Sequence, residues 1–108
     1  MKNDGSDLGV SVREALDDLD LGSPDQVADV LRWYGATGER YEPQSCPLAR
    51  YLHLRTGDTS MKVGSMWVWS DNPDNDVTTR TTWLPYSAYA FRQMFDGGGF
   101  SDLMERPA

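Results

Sequence analysis

The spacing of apolar residues changes from helical to strand-like after Gly57, and this change constrains the fold more than any other feature of the chain. Before Gly57, three segments carry apolar residues three and four positions apart, which is the spacing of one face of a helix. After it, the runs 61–70 and 77–84 have the alternation and composition of strands. The sequence therefore predicts an α+β domain, with three helices, a two-stranded antiparallel hairpin and a C-terminal helix.

Local signals set the predicted ends of the helices. A serine precedes each of the first three, and serine is a preferred N-cap because its hydroxyl accepts a hydrogen bond from a free helical N–H group. These serines are Ser11, Ser23 and Ser45. Glycines at 22, 35 and 57 end the three helices. A fourth helix is predicted over 86–95, and the three glycines at 97–99 end it.

The predicted hairpin carries large apolar residues on both faces. Its turn is the polar segment 71–76, DNPDND. Trp67 and Trp69 alternate with Val68, so both indoles project from one face, and Trp83 on the second strand can join them. Either the domain covers both faces of the hairpin, or one face binds a partner protein or a second copy of the chain.

Composition and charge narrow the class of protein. The chain has 108 residues, and its net charge is −7. We expect a flexible N-terminus over 1–10, one compact domain over 11–104 and a tail over 105–108. An acidic chain repels phosphate, so nucleic acid is an unfavourable partner. The chain has one cysteine and no apolar run long enough to span a membrane, and its first ten residues lack the apolar stretch of a signal peptide. From these features we expect a cytoplasmic protein.

The sequence gives little support to enzymatic chemistry. Cys46 and His53 lie on the same predicted helix, about 10 Å apart along its axis, which is beyond hydrogen-bonding distance. A structural zinc site needs about four cysteine or histidine ligands, and the chain has one of each. We therefore predict no catalytic residues, no metal site and no cofactor. A thiol-dependent enzyme acting through Cys46 is a weaker alternative.

The leading hypothesis is a non-enzymatic accessory or regulatory protein that binds another protein. Trp67, Trp69 and Trp83 are the predicted apolar anchors, with Arg50 and Arg55 as polar contacts. The main alternative is a winged-helix DNA-binding regulator that reads DNA with helix 46–56 and uses 71–76 as its wing. The long link 35–44 and the acidic wing tip count against it. In a variant of the leading hypothesis, the acidic segment 1–29 imitates nucleic acid.

Several short runs resemble a group of small proteins from actinobacteria and their phages. The runs are CPLARYL at 46–52, TG at 56–57, LP at 84–85 and FDGG at 95–98, with a valine-rich strand near 63. The resemblance covers roughly residues 23–104. It implies a bacterial or phage intracellular protein and brings no established activity with it. In a phage, the expected role is to modulate a host factor from the host cytoplasm.

Overall fold

The structure of the protein is a computed structural model, and it describes residues 10–72 and 82–104. Four α-helices and three short strands follow one another, and a 3₁₀ helix over Ser101–Leu103 comes last. The elements are α1 (Val12–Asp17), α2 (Pro24–Tyr34), α3 (Pro47–Thr56), β1 (Lys62–Val63), β2 (Trp67–Trp69), β3 (Thr82–Trp83) and α4 (Tyr86–Asp96). The predicted α+β class is confirmed.

The first two helices begin at the predicted serines, and the third begins one residue later than predicted. The hydroxyls of Ser11 and Ser23 accept hydrogen bonds from main-chain N–H groups of the first turn, at 3.1 and 3.2 Å. The N-cap of α3 is Cys46 rather than Ser45. Proline suits the first helical position because it has no N–H group to satisfy. Pro47 therefore makes the preceding residue the cap, and the Cys46 sulfur lies 3.4 Å from the N–H of Ala49.

The sheet has three antiparallel strands in the order β1-β2-β3 instead of the two predicted. The run 61–70 folds back on itself, and the N–H of Gly64 donates to the carbonyl of Trp67 at 2.8 Å. Ser65 and Met66 form the two-residue turn between β1 and β2. Of the second predicted strand, 77–84, the structure describes only the part from 82 onward. The remainder of that strand and positions 73–76 of the predicted turn lie outside the described residues.

The core lies between the helices and one face of the sheet. Helix α2 packs against α3 and α4, while α1 and β1 both pack against α3. The largest fully buried apolar side chains come from these elements and from the segments that join them. They include Leu19, Leu31, Leu48, Tyr51, Leu52, Met61, Phe91 and Phe95.

The ends of the described chain are tied to this core. Val10 packs against it, and the Val10 N–H donates to the carbonyl of Arg55 at 2.9 Å. The other residues of the predicted flexible N-terminus, 1–9, lie outside the described part, as does the tail 105–108. Gly97 ends α4 as predicted. Leu103 is buried, and its carbonyl accepts from Gly38 at 3.0 Å. None of the described helices is long and apolar enough to cross a membrane.

Candidate functional site

Trp67, Trp69 and Trp83 lie on one face of the sheet, as their positions in the sequence predict. Trp67 pairs directly with Trp83, and Trp69 pairs with Lys62 of β1. Directly paired residues of neighbouring strands share a face, so these four side chains form the outer face of the sheet. Trp83 is 58% exposed, and the other two indoles are half-buried. We call the three residues Trp67, Trp69 and Trp83 the tryptophan face.

The opposite face of the sheet belongs to the core. Val68 pairs with Val63 on one side and with Thr82 on the other. All three side chains are buried. Leu84 is also buried, whereas Met66 is 47% exposed because it lies in the turn. The helices therefore cover one face of the sheet and leave the tryptophan face at the surface.

The indoles of Trp67 and Trp83 pack edge to face, with ring centroids 6.0 Å apart and planes at 86°. The N–H of Leu84 donates to the carbonyl of Met66 at 2.8 Å. This bond makes Trp67 and Trp83 a non-hydrogen-bonded pair, the type in which opposing side chains approach most closely. The Nε1 donor of Trp67 is buried and has no hydrogen-bond partner within 10–72 and 82–104. Buried indole N–H groups usually have one, so this donor is an exception.

Arg92 of α4 fixes the β1–β2 turn beneath the tryptophan face. Its Nη1 donates to the carbonyls of Val63 and Gly64 at 2.7 and 2.9 Å, and its Nε bonds to Asp96 at 3.1 Å. Hydrogen bonds from a charged donor are stronger than those between neutral groups. Since Arg92 lies on α4, these bonds hold the turn in a fixed position relative to that helix. Arg92 is not among the residues predicted from the sequence. Helical spacing alone gives its place on α4 and does not reveal an acceptor 28 or 29 residues away.

A second polar network, also missed, closes the other end of the sheet. The carboxylate of Asp58 accepts from the N–H and hydroxyl of Ser60, at 2.9 and 2.7 Å, and from the hydroxyl of Ser70. Ser70 in turn accepts from the N–H of Asn72 at 3.0 Å. Since Ser70 is buried, this network holds the α3–β1 loop against the end of β2.

Arg55, one of the predicted partner contacts, is fully buried. Its guanidinium donates to the hydroxyl of Tyr51 at 2.6 Å and to the carboxylate of Asp18 at 3.0 Å. It also stacks against the rings of Tyr34 and Tyr51, with 5.1 and 5.5 Å to the centroids. The prediction that Arg55 contacts a partner is therefore wrong, because these contacts place its charge inside the domain, where it joins three helices.

Arg50, the other predicted polar contact, lies apart from the tryptophan face. It is half-buried and lines a cleft of about 220 Å³ between the end of α2 and the side of α3. His53 and Leu54 line the same cleft. The Nε2 of His53 lies 2.9 Å from the carbonyl of Met61, so Nε2 donates to it. The histidine thus has a structural partner.

Cys46 is buried at the start of α3. Burial raises the pKa of its thiol, and the N–H groups of the first helical turn oppose this effect only in part. A reactive thiol requires the opposite shift. Within the described residues, no group of three or more cysteine, histidine or acidic side chains is arranged to hold a metal ion.

In comparisons with protein-family models, with curated protein sequences and with solved structures, no match to this chain was found.

Proposed function

We propose that this chain is a small non-enzymatic accessory or regulatory protein that acts by binding another protein through the tryptophan face. The observation that carries the proposal is the division of the sheet into two faces. Val63, Val68 and Thr82 fill the core, whereas Trp83 on the other face is 58% exposed. Exposed tryptophan is uncommon on a surface that only contacts water, and tryptophan is enriched where protein interfaces are most tightly bound.

The donor of Trp67 adds a second argument. A buried N–H group without an acceptor destabilises a protein by about 1–3 kcal/mol. Trp67 packs against the exposed indole of Trp83, so the ring that carries this donor lies next to the surface that a partner would cover. A partner that offers a carbonyl there would then satisfy the donor.

The setting of this function follows from the resemblance described above. We propose a bacterial cytoplasm, or the cytoplasm of a host if the gene belongs to a phage. In the second case the bound protein is a host factor whose activity the chain modulates.

The winged-helix alternative has less support. It needs the basic side chains of α3 to face DNA, yet Arg55 is buried and His53 bonds to a main-chain carbonyl. Most of the first turn of α3 is buried as well. A recognition helix instead exposes its N-terminal residues to the base edges of the major groove.

Affinity capture from an actinobacterial lysate treated with nuclease tests the proposal. The wild-type chain is compared with Trp83→Ala, and Trp33→Ala is the matched control because Trp33 is also partly exposed but lies on α2. We expect the wild type and Trp33→Ala to retain one protein in stoichiometric amount, and Trp83→Ala to lose it with an unchanged circular dichroism spectrum. Capture that depends on nucleic acid, or that survives Trp83→Ala, would contradict the proposal.

A further inference from the structure

The positive charges of the described residues are largely engaged within the domain. Arg55 and Arg92 are buried. Arg40 donates to a main-chain carbonyl at 2.8 Å, and Arg32 forms ion pairs with two aspartates. The net charge of the chain is −7, so acidic groups dominate the surface that a partner meets. Within residues 10–72 and 82–104, the exposed acidic residues are Glu14, Asp17, Asp20, Asp25, Asp29, Glu39, Glu42, Asp71 and Asp102.

Asp71 places one of these charges at the end of the tryptophan face. It follows Trp69 by two positions, and its carboxylate lies 2.6 Å from Nζ of Lys62, the cross-strand partner of Trp69. The side chain of Lys62 is 21% exposed and that of Asp71 is 72% exposed. The member of the pair that a partner can reach is therefore the carboxylate.

An indole carries negative charge density on the faces of its ring, and it attracts a cation placed over them. The exposed ring of Trp83 therefore favours a cationic ligand. Asp71 shares its charge with Lys62, so it adds to this preference less than an unpaired carboxylate would. The overall negative charge of the chain attracts such a ligand at long range.

We infer that the occupant of the tryptophan face is a segment of a partner protein with an arginine or lysine side chain that stacks on Trp83. Apolar residues of the same segment cover Trp67 and Trp69. This inference rests on the proposed protein-binding function and specifies the chemistry of the partner. A second copy of the chain is disfavoured as the occupant, because two chains of the same large negative charge repel each other.

Selection of random peptides of about twelve residues, displayed on phage, tests the inference without knowledge of the partner. The wild type is compared with Trp83→Ala and Asp71→Asn. Trp33→Ala and Asp25→Asn are the matched controls, because each changes the same residue type on α2. We expect the wild type and both controls to enrich peptides that combine a basic residue with apolar ones.

Binding of a synthetic peptide from this selection then measures the role of the cation. Replacement of its basic residue by glutamine should weaken binding about three- to tenfold. Trp83→Ala and Asp71→Asn should each weaken it as well, and added salt should reduce the affinity.

The remaining outcomes separate failure of the inference from failure of the proposed function. Enriched peptides that depend on Trp83 but lack a basic residue would overturn the inference and leave the tryptophan face as a binding site. Peptides that bind Trp83→Ala as well as the wild type would overturn both. An absence of enriched peptides would overturn the inference. It would also be overturned if the wild type sedimented as a dimer and Trp83→Ala sedimented as a monomer, because the occupant would then be a second copy of the chain.

Discussion

Gly64 lies directly beneath the indole of Trp69: a Cβ atom at position 64 would come within 3.1 Å of Trp69 Cζ3. The same atom would lie 3.6 Å from Cε2 of Trp67. Glycine at this position lets both rings lie across the backbone of the β1–β2 hairpin. The tryptophan face therefore depends on a residue that contributes no side chain to it.

The variant Gly64→Ala should shift the ring of Trp69 by a few tenths of an ångström, because the added methyl group would lie closer to Cζ3 than ordinary van der Waals contact allows. We expect a change in tryptophan emission and a loss of about 1 kcal/mol in the free energy of unfolding, as is typical of overpacking. Urea denaturation followed by fluorescence measures both. In the control, Gly97→Ala, the nearest atom is at an ordinary contact distance of 3.4 Å and φ is −83°. Equal effects of the two variants would show that Gly64 has no special place beneath the ring.

Arg55 joins α3 to α1 and α2 through Asp18, Tyr51 and Tyr34, so its replacement should destabilise the domain. In Arg55→Met, Tyr51 keeps its own bond to the carbonyl of Ala15. Asp18, which is 40% exposed, returns partly to water. We therefore expect a loss of about 2 kcal/mol, below the 3–5 kcal/mol typical when a buried ion pair loses one member.

Urea denaturation measures this loss against Arg13→Met, which removes an exposed arginine from α1 and should stay within about 0.5 kcal/mol of the wild type. If Arg55→Met had wild-type stability but failed to bind the captured partner, the assignment of Arg55 to the core would be wrong.

Local signals in the sequence predicted the features that depend on neighbouring residues, namely the order of the helices and the side of the strand on which each residue lies. The serines gave the helix order, the glycines at 35 and 57 gave the ends of α2 and α3, and the alternation about Val68 gave the tryptophan face. The predicted end of the first helix at Gly22 was wrong, because α1 ends at Asp17. The tryptophan face survived an error in the number of strands because Trp67 and Trp69 stay two positions apart on one strand. The missed β1–β2 turn had a signal, an isolated glycine followed by serine inside a strand-like run. Apolar residues on both sides of the Gly64–Ser65 pair concealed it.

Long-range partners could not be predicted in the same way. The spacing of Tyr51 and Arg55 places them on one side of a helix, but burial of Arg55 depends on Asp18 and Tyr34, which other helices supply. Without those contacts, an arginine near the end of a helix is expected at the surface.

The thiol of Cys46 should react slowly while the protein is folded. Burial keeps it protonated at neutral pH, and the thiolate is the reactive form. We expect alkylation by iodoacetamide at pH 7.5 to follow the fraction of unfolded protein and to accelerate in urea. Fast alkylation without denaturant would instead support the thiol-dependent alternative.

The same raised pKa makes the stability of the protein depend on alkaline pH. The unfolded chain loses the Cys46 proton near the ordinary thiol value of 9.0, whereas the folded chain retains it. The stabilisation is therefore complete below that value and is lost as the pH rises through the folded-state pKa. Between pH 8 and pH 10, the free energy of unfolding should fall more for the wild type than for Cys46→Ala. Burial also raises the pKa of Tyr51, but that contribution is common to both proteins.

Replacement of Trp67 by phenylalanine tests whether its Nε1 donor is unsatisfied in the folded protein. Trp67→Phe keeps an aromatic ring against Trp83 and removes a buried N–H group that has no acceptor among the described residues. The stabilisation gained by removing such a group offsets the stabilisation lost with the smaller contact area of the phenyl ring. We therefore expect the free energy of unfolding to change by less than about 1 kcal/mol. Val68→Ala, on the buried face of the same strand, should cost about 2 kcal/mol because it leaves a cavity. If urea denaturation gave Trp67→Phe the larger loss, the indole N–H would have a partner in the folded state, and a bound protein would not be needed to satisfy it.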